Sequence, residues 1–391
     1  MKKIMILLLS SLAALGLNAQ NRSIDFEKDY KKALKKAKAE NKLIFLDAYA
    51  TWCGPCKWMA ANVFTNDEVA DFYNSNFINL KMDMEKGEGK DIAEKFKIRS
   101  YPTLFFLDHE GNMIHKKVGA SQELKSYIKL GEDAKNPERQ YNTLKAKFEA
   151  GQTDKEFLEN YMEVAGGAGD NITPILSKYY EPLSEKDMLE ESTWHVIRKY
   201  DKSVDSKGIM FVMSHIDHFS AVYDHTEVDQ LLYQNNYAKI MGILYSKDFS
   251  KKDFDIALID LKKHKIPGWE KIVLAADIEH LNKQKKTREM CELAVLEVME
   301  VFEHDPVALN NYAWMIFEKS DDPAELTEAL KWADRSLLMS ERSFVQDTHA
   351  NLLNKLGRKS EAMASGKKAI ELAKAEGEDV EDYEKALENY K

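Results

Sequence analysis

The chain has 391 residues, 44% hydrophobic and 31% charged. That balance excludes disordered and collagen-like classes and, at ~150 residues per domain, implies two or three domains. Lysine plus arginine is 56 and aspartate plus glutamate 66, a net charge of −10 that suits a phosphate backbone poorly, so no nucleic-acid partner is expected. Three cysteines are too few for a disulfide-stapled scaffold of this size.

Residues 1–20 read MKKIMILLLSSLAALGLNAQ. Lys2 and Lys3 give a positive start, 4–17 is an apolar run, and Ala19 is small, which is the three-part plan of a secretory signal peptide over 1–19. The run is short of the ~20 residues a bilayer requires. No cysteine follows it to carry a lipid. The expectation is an exported mature protein, soluble in the bacterial periplasm, where disulfides persist.

From Ser23 the pattern alternates between two periods. Phe26, Tyr30, Ala33, Leu34 and Ala37 recur at helical spacing. Leu43–Tyr49 is a nearly continuous apolar run, as expected of a strand buried on both faces. Helix is predicted over 56–74 with a break at Thr65-Asn66, where Asp67 and Glu68 open a new first turn. A second strand is predicted over Phe77–Asp83 and a short helix over 91–97. A hairpin follows, 103–108 and 113–119, and then a helix capped by Ser121 and running to Leu130.

Within this alternation lies Trp52-Cys53-Gly54-Pro55-Cys56-Lys57, directly after a strand and opening a helix. Two cysteines separated by two residues at a helix start can close a small disulfide. The positive end of the helix favours thiolate at the first of them. The competing readings are a zinc knuckle and a static bridge. Zinc requires four ligands, and no second cysteine or histidine pair is spaced to complete them. Redox chemistry is the preferred reading.

This region, about 22–131, resembles the thioredoxin family. Asp47, six residues before Cys53, matches the family's buried acid; Tyr101-Pro102-Thr103 matches its cis-proline loop; Gly119 matches the glycine ahead of the last helix; Lys81 resembles the lysine near the acid. The resemblance implies an α/β fold and a dithiol without any other cofactor. Cys53, partly exposed, would attack a substrate disulfide and Cys56 would resolve the mixed disulfide. Asp47, desolvated, would accept the Cys56 proton. A cis Pro102 would lie against the sulfurs and present the Tyr101 backbone to an extended substrate. Trp52, Gly54, Pro55, Tyr101 and Gly119 would make up the substrate-binding rim. Two positions depart from the family: Tyr49 stands where tryptophan is frequent, and Ala61 where a proline commonly bends the helix. The run 62–69 resembles exported relatives, including reductase domains attached to membrane electron transporters.

Residues 132–140 (EDAKNPERQ) read as a linker, and beyond them almost nothing looks like strand. Residues 141–305 are expected to form degenerate helical pairs. Residues 306–391 resemble tetratricopeptide repeats: 310–314 with 328–333 forms one pair, and 347–353 with 360–370 the next. Ala329 and Ala362 stand 33 positions apart, close to the ~34-residue period. Such a surface implies a protein ligand of unknown identity. His215, Asp217, His218, Asp224 and His225 offer metal-ligand types without a placed fourth ligand, so no metal is expected. Cys291 lies on an apolar-periodic helix and reads as a core thiol.

The function expected is exported thiol–disulfide reduction or exchange in protein substrates, with a membrane electron donor restoring the dithiol. The alternatives are a disulfide oxidase or isomerase, and a helical-repeat binding scaffold with an accessory redox domain.

Overall fold

A computed structural model describes residues 22–390, so the leader expected over 1–19 lies outside the described residues. The first elements are β1 (Phe26–Glu27), α1 (Tyr30–Glu40), β2 (Leu43–Tyr49), α2 (Gly54–Asn62), α3 (Asp67–Asn76), β3 (Phe77–Asp83), α4 (Gly89–Lys95), β4 (Thr103–Leu107), β5 (Met113–Val118) and α5 (Lys125–Lys135). They form a five-stranded sheet in the order β1-β3-β2-β4-β5, with β1, β3 and β2 parallel and β4 and β5 antiparallel. The all-apolar reading of β2 follows from its central place, where both of its faces are covered. On one face Phe45, Leu104 and Phe106 pack with Met59, Tyr73, Phe77 and Tyr127. On the other, Ile44, Leu46, Ala48 and Phe105 pack with Ala33, Ala37 and Ile92.

Local chemistry sets the breaks. Asp29 caps α1 by accepting the Lys32 N–H, and Asn66 caps α3 by accepting the Val69 N–H, so the interruption after Asn62 falls where sequence placed it. Two expectations are corrected. Phe26 belongs to a short strand rather than to the first helix, because its backbone pairs with Asn79 on β3. Ser121 does not cap α5: that helix starts at Lys125, and the Ser121 hydroxyl instead accepts the Glu123 N–H within the preceding turn.

The described residues fall in two compact units divided after Asp201. In the first, five helices follow the sheet: α6 (Tyr141–Glu149), α7 (Lys155–Gly167), α8 (Thr173–Tyr180), α9 (Glu185–Met188) and α10 (Glu191–Tyr200). The segment expected as a linker, 132–140, holds the last turns of α5 and a network tied to Asp133, which is nearly buried and pairs with Lys129 at 3.0 Å and with Arg139. Beyond it, α6 lies along β5. The Tyr141 N–H donates to Nδ1 of the buried His115 at 3.1 Å, and the Asn142 side-chain amide donates to the Met113 carbonyl. The physical reason is that β5 ends the sheet and leaves polar backbone to be paired.

The second unit is helical throughout: α11 (Lys207–Ser214), α12 (Ile216–Val222), α13 (His225–Leu244), α14 (Lys251–His264), α15 (Trp269–Lys283), α16 (Thr287–Phe302), α17 (Pro306–Lys319), α18 (Pro323–Met339), α19 (Ser343–Lys355), α20 (Lys359–Glu376) and α21 (Glu381–Glu388). One apolar cluster in it runs from Leu274 to Tyr390, with Trp332, Ala329, Ala333 and Ala362 fully buried where neighbouring helices approach. No helix among the described residues is long and apolar enough to cross a membrane.

Burial holds the His115 imidazole far below its usual range, at about 4, outweighing the nearby Asp133 carboxylate; Lys129 and Arg139 push the same way as burial. Because the folded value is lower than the unfolded one, the unfolded chain takes up the proton first as pH falls. Stability is complete above about 6.5 and declines between there and about 4, by about 3 kcal/mol. Urea denaturation across that range should show this loss in the native chain and a correspondingly smaller one in His115→Gln. Equal pH dependence in both would remove His115 from the junction.

Candidate active site

The site is built at the end of β2, where the chain leaves the sheet and turns into α2. Cys53 is the N-cap of α2, with extended backbone, and its Sγ accepts the Cys56 N–H at 3.1 Å. Pro55 occupies the first turn, where a missing N–H leaves no helical bond unmade. Cys53 and Cys56 form a disulfide. An N–H aimed at the first sulfur, together with the positive helix end, stabilises a thiolate there once the pair is reduced.

Around the pair the resemblance and the structure part at one point. Cys53 was expected to be partly exposed, but in the disulfide it is 2% exposed and Cys56 3%. The reason is the packing of Ala50, Tyr49 and Tyr101 around both sulfurs. Trp52, by contrast, is 66% exposed and stands edge-on to Tyr101 with ring centres 5.9 Å apart. Its indole N–H donates to both carboxylate oxygens of Glu85, at 2.9 and 3.0 Å. Sequence reasoning missed Glu85: it lies 33 residues from Trp52, just past the end of β3, and nothing in a single sequence joins the two.

The Tyr101–Pro102 bond is cis, and Pro102 is buried. The loop is braced from β5, since the Gly119 N–H donates to the Pro102 carbonyl at 2.8 Å. Gly119 sits at φ +86, a conformation that side-chain-bearing residues rarely adopt. Gly54 has no such constraint, and a Cβ there would meet nothing within 4 Å.

Asp47 is fully buried on β2. Across the β2–β3 ladder it is in register with Lys81, whose Nζ lies 2.8 Å from Oδ2, but neither carboxylate oxygen has a partner with good hydrogen-bond geometry. Burial raises the Asp47 pKa; the Lys81 charge opposes this without reversing it. Lys81 in turn lies over the rings of Tyr49, Phe64 and Phe26 at 4.8, 5.0 and 5.6 Å. An acid whose burial raises its pKa, on the strand that leads into the dithiol, is a candidate to hold a proton there.

The other sequence candidates lie apart from this site. The His215 ring stacks on Phe211 at 4.1 Å, and among the described residues no cluster of histidine, cysteine, aspartate or glutamate is arranged to hold a metal ion. Cys291 is buried in the helical core, and burial pushes its thiol up to about 11, which leaves it unreactive at neutral pH.

The thioredoxin family profile matches residues 23–130. Thioredoxin-1 of Drosophila melanogaster is 46% identical over 79 residues, 20% of this chain and 67% of that protein. The thioredoxin of Mycoplasmoides gallisepticum is 36% identical over 92 residues, 23% of this chain and 84% of that protein. The chain belongs to the thioredoxin family. A solution structure from Bacteroides thetaiotaomicron, named a candidate disulphide-isomerase, is 44% identical to the matched part and covers 29% of this chain and 97% of that one, with a TM-score of 0.27. Curated relatives are spanned over 48% to 84% of their length. The α/β part is thus a thiol–disulfide oxidoreductase carrying the Cys53–Cys56 pair, fused to a long helical region.

Two substitutions test the geometry. Gly119→Ala should cost about 1–2 kcal/mol through backbone strain alone, because its Cβ meets no neighbour. Gly54→Ala should leave stability unchanged or raise it by about 0.5 kcal/mol. Thermal melts of the two variants in the oxidised state decide, and equal effects would contradict the assigned roles. Asp47→Asn should raise stability at pH 7. The raised folded pKa means that the native carboxyl's contribution is complete only below the unfolded value and is lost as pH rises. The gap between variant and native should therefore close on acidification; a variant less stable than native at pH 7 would show that the Lys81 pair outweighs burial.

Proposed function

We propose that the protein is an exported disulfide reductase acting on other proteins. The observation that carries this is the placement of the Cys53 sulfur at a helix N-cap, with the Cys56 amide directed at it, beside a cis-proline loop and a buried acid. The reduced Cys53 thiolate attacks one sulfur of a substrate disulfide, and the first substrate thiolate leaves. Cys56 loses its proton, with Asp47 as acceptor on the preceding strand, and attacks the Cys53 sulfur. The second substrate thiolate leaves and the Cys53–Cys56 bond closes. Two electrons pass from the dithiol to the substrate, whose two thiols gain two protons. No other cofactor enters the cycle.

The rim residues then have distinct tasks. Pro102 would lie against the pair, and the Tyr101 backbone would receive an extended substrate segment. Gly119 holds that loop in place, Gly54, with open space around it, and Pro55 present the helix start to the substrate, and Trp52 forms the exposed wall fixed by Glu85. Because both sulfurs are buried in the disulfide, the aromatic side chains at the rim must move aside for each attack.

The leader-like start of the sequence supports export to the bacterial periplasm, with cleavage near Ala19. In that compartment a membrane electron donor would restore the dithiol. The helical region, with tetratricopeptide-like pairs α17–α18 and α19–α20, would bind an unidentified protein partner.

In Cys56→Ser the second step is blocked, so Cys53-linked mixed disulfides with client proteins should accumulate and be recoverable by mass spectrometry from the exported fraction. Recovery of none would overturn the enzymatic reading. Titrating the native pair against glutathione should place it near the ~−270 mV of thioredoxin, whereas a value near ~−120 mV would make it an oxidase. Asp47→Asn should slow mixed-disulfide resolution by about a hundredfold at pH 7.

A further inference from the structure

Helix α7 runs antiparallel to α5 beside β5. Glu163, one turn before the end of α7, pairs with Lys129 in the middle of α5 at 3.2 Å, while Gly167, the last residue of α7, lines a cavity with Lys117 of β5 and Ser126 from the start of α5. The end of α7 therefore lies at the end of the sheet that carries the dithiol. Register confirms this placement: Val118 pairs with Thr103, which pairs with Ala48, five residues before Cys53.

The turn between α7 and α8, residues 168–171, wraps the tip of β5. Gly169, at φ +77, comes so near that a Cβ there would lie 3.2 Å from Val118 Cγ2. Asp170 pairs with Lys116 at 3.2 Å and accepts the Tyr141 hydroxyl, while Lys116 also lies 5.0 Å over the Tyr141 ring. Contacts from β5 and α6 thus clamp the turn. Val118 directly precedes Gly119, the residue that braces the Pro102 carbonyl. On its open side the turn exposes Gly169 and Asn171, and Ala120, two residues beyond the Val118 that Gly169 approaches, is exposed as well. The Asn171 side-chain Oδ1 accepts the Thr173 N–H at 3.0 Å, and the side-chain N–H donors of Asn171 have no partner among the described hydrogen bonds. A surface of backbone and one free carboxamide, with its acid already neutralised, suits the repeating polar groups of an extended chain. It offers no pocket to a compact molecule.

We propose that the 168–171 turn is an added wall of the substrate groove, with Asp170 as its positioning residue, and that it receives an extended polypeptide segment flanking the target disulfide. This rests on the reductase reading above and names the substrate class of that same site. The wall contributes binding, not chemistry, so a small disulfide gains nothing from it.

The test uses the reduced full chain with two substrates, insulin and 5,5′-dithiobis(2-nitrobenzoate). Two variants are compared with native: Asp170→Ala, which frees the turn, and Asn171→Asp, which keeps the Thr173 bond but removes the amide donors at an exposed position where folding is not at risk. Both should lower kcat/KM on insulin by about fivefold through KM, the size of one lost hydrogen bond, and leave the small disulfide within about twofold. Unchanged insulin kinetics in both, or a parallel fall on both substrates in Asn171→Asp, would overturn the wall while leaving the reductase standing. A native chain that reduces neither substrate would remove the reductase reading and the wall with it.

Discussion

Asp47 is a carboxyl group with no solvent and no well-formed hydrogen bond, held on the central strand of the sheet. Apolar residues at that position would pack at lower cost, since burying a charge and its partner seldom repays their desolvation. The architecture is arranged to tolerate it. Lys81 reaches it from β3 only because β2 and β3 are parallel neighbours in a register that sets the two residues opposite each other. The lysine's charge is in turn lodged among three aromatic rings, a setting that keeps it near its partner rather than in water. With β3 on one side, β4 must occupy the other side of β2, and there its Thr103–Ala48 pairing delivers the cis-proline loop beside the cysteines. The position of the site thus follows from the strand order, and the strand order accommodates one buried acid.

Much of this was legible in the residues. The apolar runs of β2 and β3 have the bounds the structure shows, because a strand buried on both faces leaves little room for ambiguity. The break before Asp67 was readable because Asn66 is a strong cap. The dithiol motif and the proline loop are local signals, and both lie at the site. What escaped the reading depends on distant partners. Phe26 joins the sheet only because Asn79 is opposite, and Glu85 matters only because the Trp52 indole reaches it. The burial of Cys53 follows from Tyr101, which is 48 positions away in sequence and touches it only once the loop is folded. The polar run 132–140 has a linker's composition, yet the ion pairs of Asp133 make it part of a packed junction.

That junction changes what the thioredoxin part is. Its strand β5 closes the sheet with an unpaired side, the kind of edge that invites pairing with another chain. Here the edge is answered within the same chain: Asn142 takes the Met113 carbonyl, Tyr141 donates to His115, and Asp170 neutralises Lys116. The compact unit accordingly extends to Asp201 rather than to the last helix of the family match near residue 130. His115 makes the dependence explicit. A buried imidazole whose ring nitrogen accepts a backbone N–H is in place only while α6 is in place, and without α6 it would be a half-satisfied polar group on an open edge. Helix α6 and the turn after α7 are therefore joined to the sheet by specific polar contacts. Such contacts fix orientation, and a fixed orientation is what allows a turn outside the family fold to keep a constant place against Val118, next to the glycine that braces the cis-proline loop.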